Sequence, residues 1–317
     1  MKALIYDGQN LKLSEVDRPD IKEDHALIRV LLAGICNTDL EILKGYMNFT
    51  GILGHEFVGV VEQGPEDLIG KRVVGEINIP CNECDLCLNG LHRHCRNIRV
   101  LGIRNYDGVF AEYTLLPVKN LHIVPEKIEN ERAVFIEPLA AAFRILQQIE
   151  LSGSQKVAVL GDGKLGLLVS KALSFSKIPH IVFGKHEEKL SLANKWTSTE
   201  FSHNFKQYDR YFDTVIDATG RKSGIEQALQ IVKPEGTIVL KTTIAGKIDL
   251  DLSVVAVNEI KVIGSRCGPF PVAISALANS LEVRDLIEST FDLSEYQKAF
   301  ERASKSSLKL LLKIDRQ

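Results

Sequence analysis

The stretch CNECDLCLNGLHRHC places Cys81, Cys84, Cys87 and Cys95 within fifteen residues, four of the six cysteines in the chain. Such a concentration can serve a disulfide knot, a metal ion or a redox centre. The spacing favours metal, because C-x-x-C turns let neighbouring thiolates converge on one tetrahedral ion with Zn–S near about 2.3 Å. Four thiolates leave no open coordination position, so an ion here would be structural and would hold a loop. His92 and His94 could replace a sulfur, but four thiolates already fill the shell, and the two histidines read as exposed residues of the lobe.

Two further patterns bear on chemistry. Cys36 in GICNTD and His55 with Glu56 in GHEF are zinc-capable residues from separate segments. Alone they are weak, since a single cysteine is commonly a core residue. The third pattern is VAVLGDGKLGLL, in which Gly161, Gly163 and Gly166 follow an apolar strand pattern and open a helical one. In that context G-x-G-x-x-G gives a tight turn, a close backbone approach to a pyrophosphate, and close helix–strand packing. It points to dinucleotide binding. A Lewis acid beside a nicotinamide is a hydride-transfer arrangement, so the glycine turn strengthens the reading of Cys36, His55 and Glu56 as a metal site.

These residues must be positioned by two kinds of structure. The first 125 residues hold short apolar runs, KALIYD, ALIRVLLAGI, FVGVVEQG, KRVVGEI and VFAEYTLL, broken by Gly, Pro, Asn or Asp. They predict a compact β unit carrying the cysteine lobe as an insertion. ENERAVFIEPLAAAFRILQQI then predicts helix interrupted at Pro138. From Lys156 onward, six strand patterns alternate with helical ones: KVAVLG, HIVFG, EFSHN, TVIDAT, GTIVLKT and IKVIGS. That alternation predicts a parallel, doubly wound sheet. The tail predicts a last helix, EYQKAFERAS, with Ser294 and Gln297 as its capping box.

With 45% hydrophobic and 25% charged residues and a net charge of −2, the chain has ordinary globular composition and no global attraction to nucleic acid or anionic lipid. Its apolar runs, PLAAAF and LKLLLKI among them, fall short of a membrane span. The N-terminus shows no signal-peptide pattern, so the expected compartment is the cytosol, where disulfides are rare.

The pieces GICNTD, GHEFVGVV, the four-cysteine lobe, EPLA, VLGDGKLG, DATG and GSRCG stand in one order along the chain. In that order they resemble the medium-chain, zinc-dependent alcohol and polyol dehydrogenases over essentially the whole length. The resemblance implies an α/β protein: a GroES-like β-rich catalytic domain, residues 1–137 and 267–317 with the lobe at 81–95, and a Rossmann coenzyme domain, residues 138–266. It implies two zinc ions per chain. Cys36 and His55 would ligate the catalytic ion together with Glu56 or Glu137, the latter standing where alcohol-dehydrogenase relatives carry a cysteine. Asp39 would orient His55, or cap the following helix; Thr38 would be the relay hydroxyl. The family often has a histidine five residues after the ligand cysteine, and here that position is Glu41. Gly161, Gly163, Lys164, Leu165, Gly166, Gly184, Lys185, His186, Thr219, Thr242 and Arg266 would line the cofactor. The substrate would be a small alcohol, polyol or aldehyde, and the assembly a homodimer or homotetramer. The rivals are a zinc-free reductase of the quinone-reductase type and a non-enzymatic binding or sensor protein on the same scaffold; the zinc-capable residues and the intact lobe argue against both.

Cofactor choice is read at the end of the second strand of the doubly wound sheet, where an acid about 20 residues beyond the glycine turn would hold the ribose 2′-OH of NAD. In HIVFGKHEEKL that position is Gly184, followed by Lys185 and His186. No carboxylate stands there in the sequence, and Lys185 could pair with a 2′-phosphate. NADP is therefore the expected preference. NAD is the alternative if a slipped strand end brings Glu187 into reach.

Overall fold

His25–Ile35 is an eleven-residue strand whose inward residues are almost wholly buried, and it organises the first half of the molecule. The structure, a computed structural model, describes residues 1–241, 247–305 and 307–315. It divides into two units, Met1–Glu137 with Phe270–Gln317, and Pro138–Pro269.

In the first unit the central sheet has, among the described residues, the order Leu121–Ile123, Arg72–Gly75, Glu56–Gln63, His25–Ile35, Lys309–Lys313, Ile287–Asp292. Tyr113–Pro117 pairs with the first half of the long strand, and Lys309–Lys313 with its second half. The register sets Gly34 opposite both Glu56 and Leu311. The C-terminal run LKLLLKI, read from sequence only as an apolar stretch, is thus an interior strand. Residues 309–312 are buried, as expected for a strand covered on both faces.

The second unit is a parallel sheet in the order Ser198–Phe201, His180–Gly184, Val157–Leu160, Phe212–Asp217, Val232–Leu240, Lys261–Gly264. Numbered along the chain this is 3-2-1-4-5-6, the Rossmann order, with its switch point beside Val157–Leu160. Val157–Leu160 is fully apolar and buried, and the helix Lys164–Phe175 follows it directly.

Three local expectations are corrected. Pro138 does not interrupt a helix: it lies in the first turn of Ile136–Gln148, where its missing N–H costs nothing, and the break falls earlier, between Asn130–Ala133 and Ile136. The third parallel strand is Ser198–Phe201, and His203 with Asn204 belong to the following 3-10 turn. The tail's capping box is Asp292 with Glu295, two residues before Ser294 and Gln297, and it caps a short 3-10 turn that leads into the helix Tyr296–Ser304. Among the described residues no helix is long and apolar enough to cross a membrane.

Candidate metal and dinucleotide sites

The first site is built where the long strand of the first unit ends. Cys36 is the N-cap of the helix Asn37–Ile42, and its backbone N–H donates to Oδ2 of Asp39 at 2.8 Å. The other oxygen, Oδ1, lies 3.3 Å from Nδ1 of His55. Asp39 is fully buried. It therefore does both things expected of it, closing the helix start and facing the imidazole. His55 is delivered by a turn at Gly54, whose φ of +93° and close contact with the Phe110 ring exclude any side chain. Burial opposes charge on His55, but Asp39 and Cys36 together hold its pKa well above the usual imidazole value.

Cys36, His55 and Glu56 present ligand atoms within 4.8 Å of one another. Oε1 of Glu56 is buried with no hydrogen-bond partner among the described residues. A thiolate, an imidazole and a carboxylate converging this way fit a zinc ion with one position left open. Glu137, the other candidate carboxylate, lies in the first turn of Ile136–Gln148 and is not brought into this set.

One participant was not read from the sequence. Lys309 is 3% exposed and its ammonium forms an ion pair with Oε2 of Glu56. Burial disfavours its charge, yet the neighbouring anions Glu56, Cys36 and Glu137 raise its pKa. Gly34 makes the space: a Cβ there would stand 2.6 Å from Oε2 of Glu56 and 3.4 Å from Cδ of Lys309. Thr38, half-buried, has its hydroxyl 3.6 Å from Sγ of Cys36. Glu41 is paired with Lys44 at 2.8 Å.

In the lobe, all four sulfurs lie within 4.8 Å of one another, with Sγ separations of 3.4 Å for Cys81–Cys95 and 3.9 Å for Cys84–Cys95. Disulfides need about 2.05 Å, and all six cysteines are free. A tetrahedral zinc with Zn–S near 2.3 Å sets sulfurs about 3.8 Å apart, so the tetrad fits that ion. Backbone N–H groups of Arg96 and Cys87 pull the Cys84 thiol down to about 6, whereas burial among the other sulfurs pushes Cys87 up to about 12. His92 and His94 form a short 3-10 turn outside the tetrad.

In the second unit the three glycines of the turn have different surroundings. Gly161 has φ +110° and lies against the backbone of Ala218. A Cβ on Gly163 would meet nothing within 4 Å, which leaves room for a pyrophosphate, and one on Gly166 would stand 2.0 Å from the Gly161 carbonyl. Lys164 and Leu165 open the helix Lys164–Phe175. Thr219, at the end of the fourth strand of this sheet, donates its hydroxyl to Oδ1 of Asp217 at 2.7 Å. Arg266 is exposed, and its carbonyl accepts from the buried Lys241 ammonium at 2.7 Å. Thr242 lies outside the described residues.

The strand end at Gly184 differs from expectation. A carboxylate does stand there, supplied by Asp162 of the glycine turn. Its Oδ2 accepts from the backbone N–H of Lys185 at 2.8 Å, from that of His186 at 2.7 Å, and from Nδ1 of His186 at 2.9 Å. Hydrogen bonds to a charged group contribute about 1.5–3 kcal/mol each. Burial would raise its pKa, but these N–H groups hold it below the usual carboxylate range. Glu187 and Glu188 begin the next helix, Glu187–Ala193.

Two family models match the chain: an alcohol dehydrogenase GroES-like domain over residues 22–126 and a zinc-binding dehydrogenase over residues 165–282. An erythritol/L-threitol dehydrogenase of Mycolicibacterium smegmatis is 30% identical, the match covering 98% of this chain and 97% of the relative. Among solved structures, a protein of Sinorhizobium meliloti described as a zinc-binding dehydrogenase and bound to NADP is 26% identical with a TM-score of 0.90, covering 98% of each chain. A short chain alcohol dehydrogenase of Escherichia coli complexed with NADH is 27% identical, again with a TM-score of 0.90, covering 99% of each chain.

Proposed function

The chain belongs to the zinc-dependent medium-chain alcohol and polyol dehydrogenases and is an oxidoreductase acting on an alcohol or polyol with a nicotinamide dinucleotide, and on that premise we propose that Cys36, His55 and Glu56 hold its catalytic zinc while the four lobe cysteines hold a structural one. The observation that carries this reading is the buried convergence of those three ligand atoms, with Oε1 of Glu56 left without a partner.

A zinc ion held by Cys36, His55 and Glu56 would supply Lewis acidity toward a substrate hydroxyl, and a nicotinamide dinucleotide held at the glycine turn would supply the hydride acceptor or donor. The chain's residues do the rest. Asp39 fixes the face and tautomer of His55. Lys309 balances the charge of Glu56 and keeps that carboxylate in place. The Thr38 hydroxyl, beside Cys36 at the start of its helix, accepts the substrate proton and hands it outward. The turn at Gly161, Gly163 and Gly166 receives the pyrophosphate, with Thr219, Thr242 and Arg266 serving the rest of the cofactor. Lys185 favours a 2′-phosphate by charge, with His186 beside it, whereas Asp162 opposes one.

The relative that acts on erythritol and L-threitol supports a short polyol as the substrate class. The free cysteines suit the reducing cytosol. Lys261–Gly264 is an edge strand with Val262 44% exposed, and Val257 nearby is 79% exposed; this apolar edge supports pairing with a second copy into a homodimer or homotetramer.

The test is a panel of polyols, polyol phosphates, simple alcohols and aldehydes assayed with both cofactors, run beside zinc analysis. Two zinc ions per chain and turnover of at least one polyol are expected. Full activity in protein carrying no zinc would defeat the assignment.

A further inference from the structure

Asp162 sits between the first two glycines of the turn, a position that pyrophosphate binding does not require to be acidic. Its side chain crosses to the end of His180–Gly184 instead. There a single oxygen, Oδ2, gathers the N–H groups of Lys185 and His186 and the ring nitrogen of His186. The residue is 7% exposed. Gly184 is what admits it, because a Cβ at that position would come within 2.6 Å of both Cβ and Oδ2 of Asp162.

Successive backbone N–H groups directed at one point make an anion-binding nest. In this fold the end of the second strand is where the adenosine ribose is read, by an acid for a 2′-OH or a basic residue for a 2′-phosphate. We propose that Asp162, delivered from the glycine turn, is the specificity-determining carboxylate of the cofactor site: it fills the nest of Lys185 and His186 as a resident anion, excludes the 2′-phosphate of NADP, and makes NAD the preferred cofactor. This rests on the dinucleotide reading of the glycine turn.

The opposing feature is the ammonium of Lys185, which is exposed. An exposed charge on a flexible stem is screened by solvent and contributes little. A 2′-phosphate entering here would find the two N–H donors occupied and a buried like charge in contact with them. Repulsion of the wrong ligand is as effective a source of specificity as attraction of the right one. Occupied donors and like charge act together, so the buried carboxylate outweighs the exposed lysine.

The experiment is direct titration of wild type and Asp162→Asn with NADH and NADPH, following nicotinamide fluorescence without substrate. Wild type is expected to bind NADH at least tenfold more tightly than NADPH. Asp162→Asn keeps the shape and removes the charge; it should tighten NADPH binding at least tenfold and move NADH binding less than threefold. Should that variant fold poorly, Asp162→Ser supplies the second arm: it removes the same charge and should shift the NADH-to-NADPH ratio at least tenfold toward NADPH. A wild-type preference for NADPH, or a ratio unchanged within twofold in Asp162→Asn or in Asp162→Ser, overturns the proposal. Failure to bind either dinucleotide would instead defeat the dinucleotide reading of the turn.

Discussion

Lys309 and Glu56 form an ion pair that is buried from both sides, with only 4% and 1% of the side chains exposed, across 253 residues of sequence. The pair joins an interior strand near the C-terminus to the residue that follows His55. A buried pair gains little over a well-packed apolar replacement, but losing one partner strands the other charge, at a cost of about 3–5 kcal/mol. Lys309→Met should therefore lower unfolding free energy by about that amount in a denaturant titration. Adding Glu56→Leu to it should restore much of the loss while removing one zinc. A Lys309→Met protein as stable as wild type would show that the pair does not form.

Catalysis should separate from cofactor binding. Cys36→Ser and His55→Ala should abolish turnover, and NADH titration should show its affinity little changed, because these residues and the glycine turn belong to different units. Thr38→Ala should slow turnover by about 10²-fold, the lower range for losing a positioned proton carrier. Thr38→Ser keeps the hydroxyl and should be mild. Steady-state kinetics and zinc analysis on the same preparations distinguish a lost relay from a lost metal.

The lobe makes a different prediction. With sulfurs 3.4–3.9 Å apart and no disulfide, its order depends on the ion, since structural zinc contributes directly to folding. Cys84→Ala should bring the zinc content from two to one per chain and raise proteolysis within residues 81–95. Retention of both ions with unchanged melting would remove the structural role.

What was legible in the sequence was local. The cysteine tetrad and the glycine turn each complete their geometry within about one supersecondary unit, so spacing alone carries them. The parallel sheet followed from alternating strand and helix patterns. What was not legible required register. Lys309 reads as one lysine in an apolar tail; only the pairing of Leu311 with Gly34, and of Gly34 with Glu56, brings it into the site. Asp162 lies within a motif legible in the sequence, but its partner Lys185 is reached by a parallel crossover, and nothing in the sequence shows that the Asp162 side chain packs against Gly184. Sequence likewise could not separate Glu56 from Glu137, since both are adjacent to suitable motifs; tertiary placement is what gathers Glu56 with Cys36 and His55.

The glycines of the turn offer a test in which two similar substitutions should part company. Gly163 has φ −80° and ψ 178°, which any residue adopts, and a Cβ there meets nothing within 4 Å. Gly163→Ala should fold and melt like wild type, while the added methyl fills the space left for the pyrophosphate. Its NADH affinity should fall at least tenfold. A Cβ on Gly166 would stand 2.0 Å from the Gly161 carbonyl, a backbone atom that cannot step aside without moving the helix Lys164–Phe175. Overpacking of this kind costs about 1–3 kcal/mol, so Gly166→Ala should lower the melting temperature as well as the affinity. Thermal melts with and without NADH, set beside fluorescence titration, give both readouts. If Gly163→Ala lost stability and kept its affinity, the open space beside it would have no part in holding the cofactor.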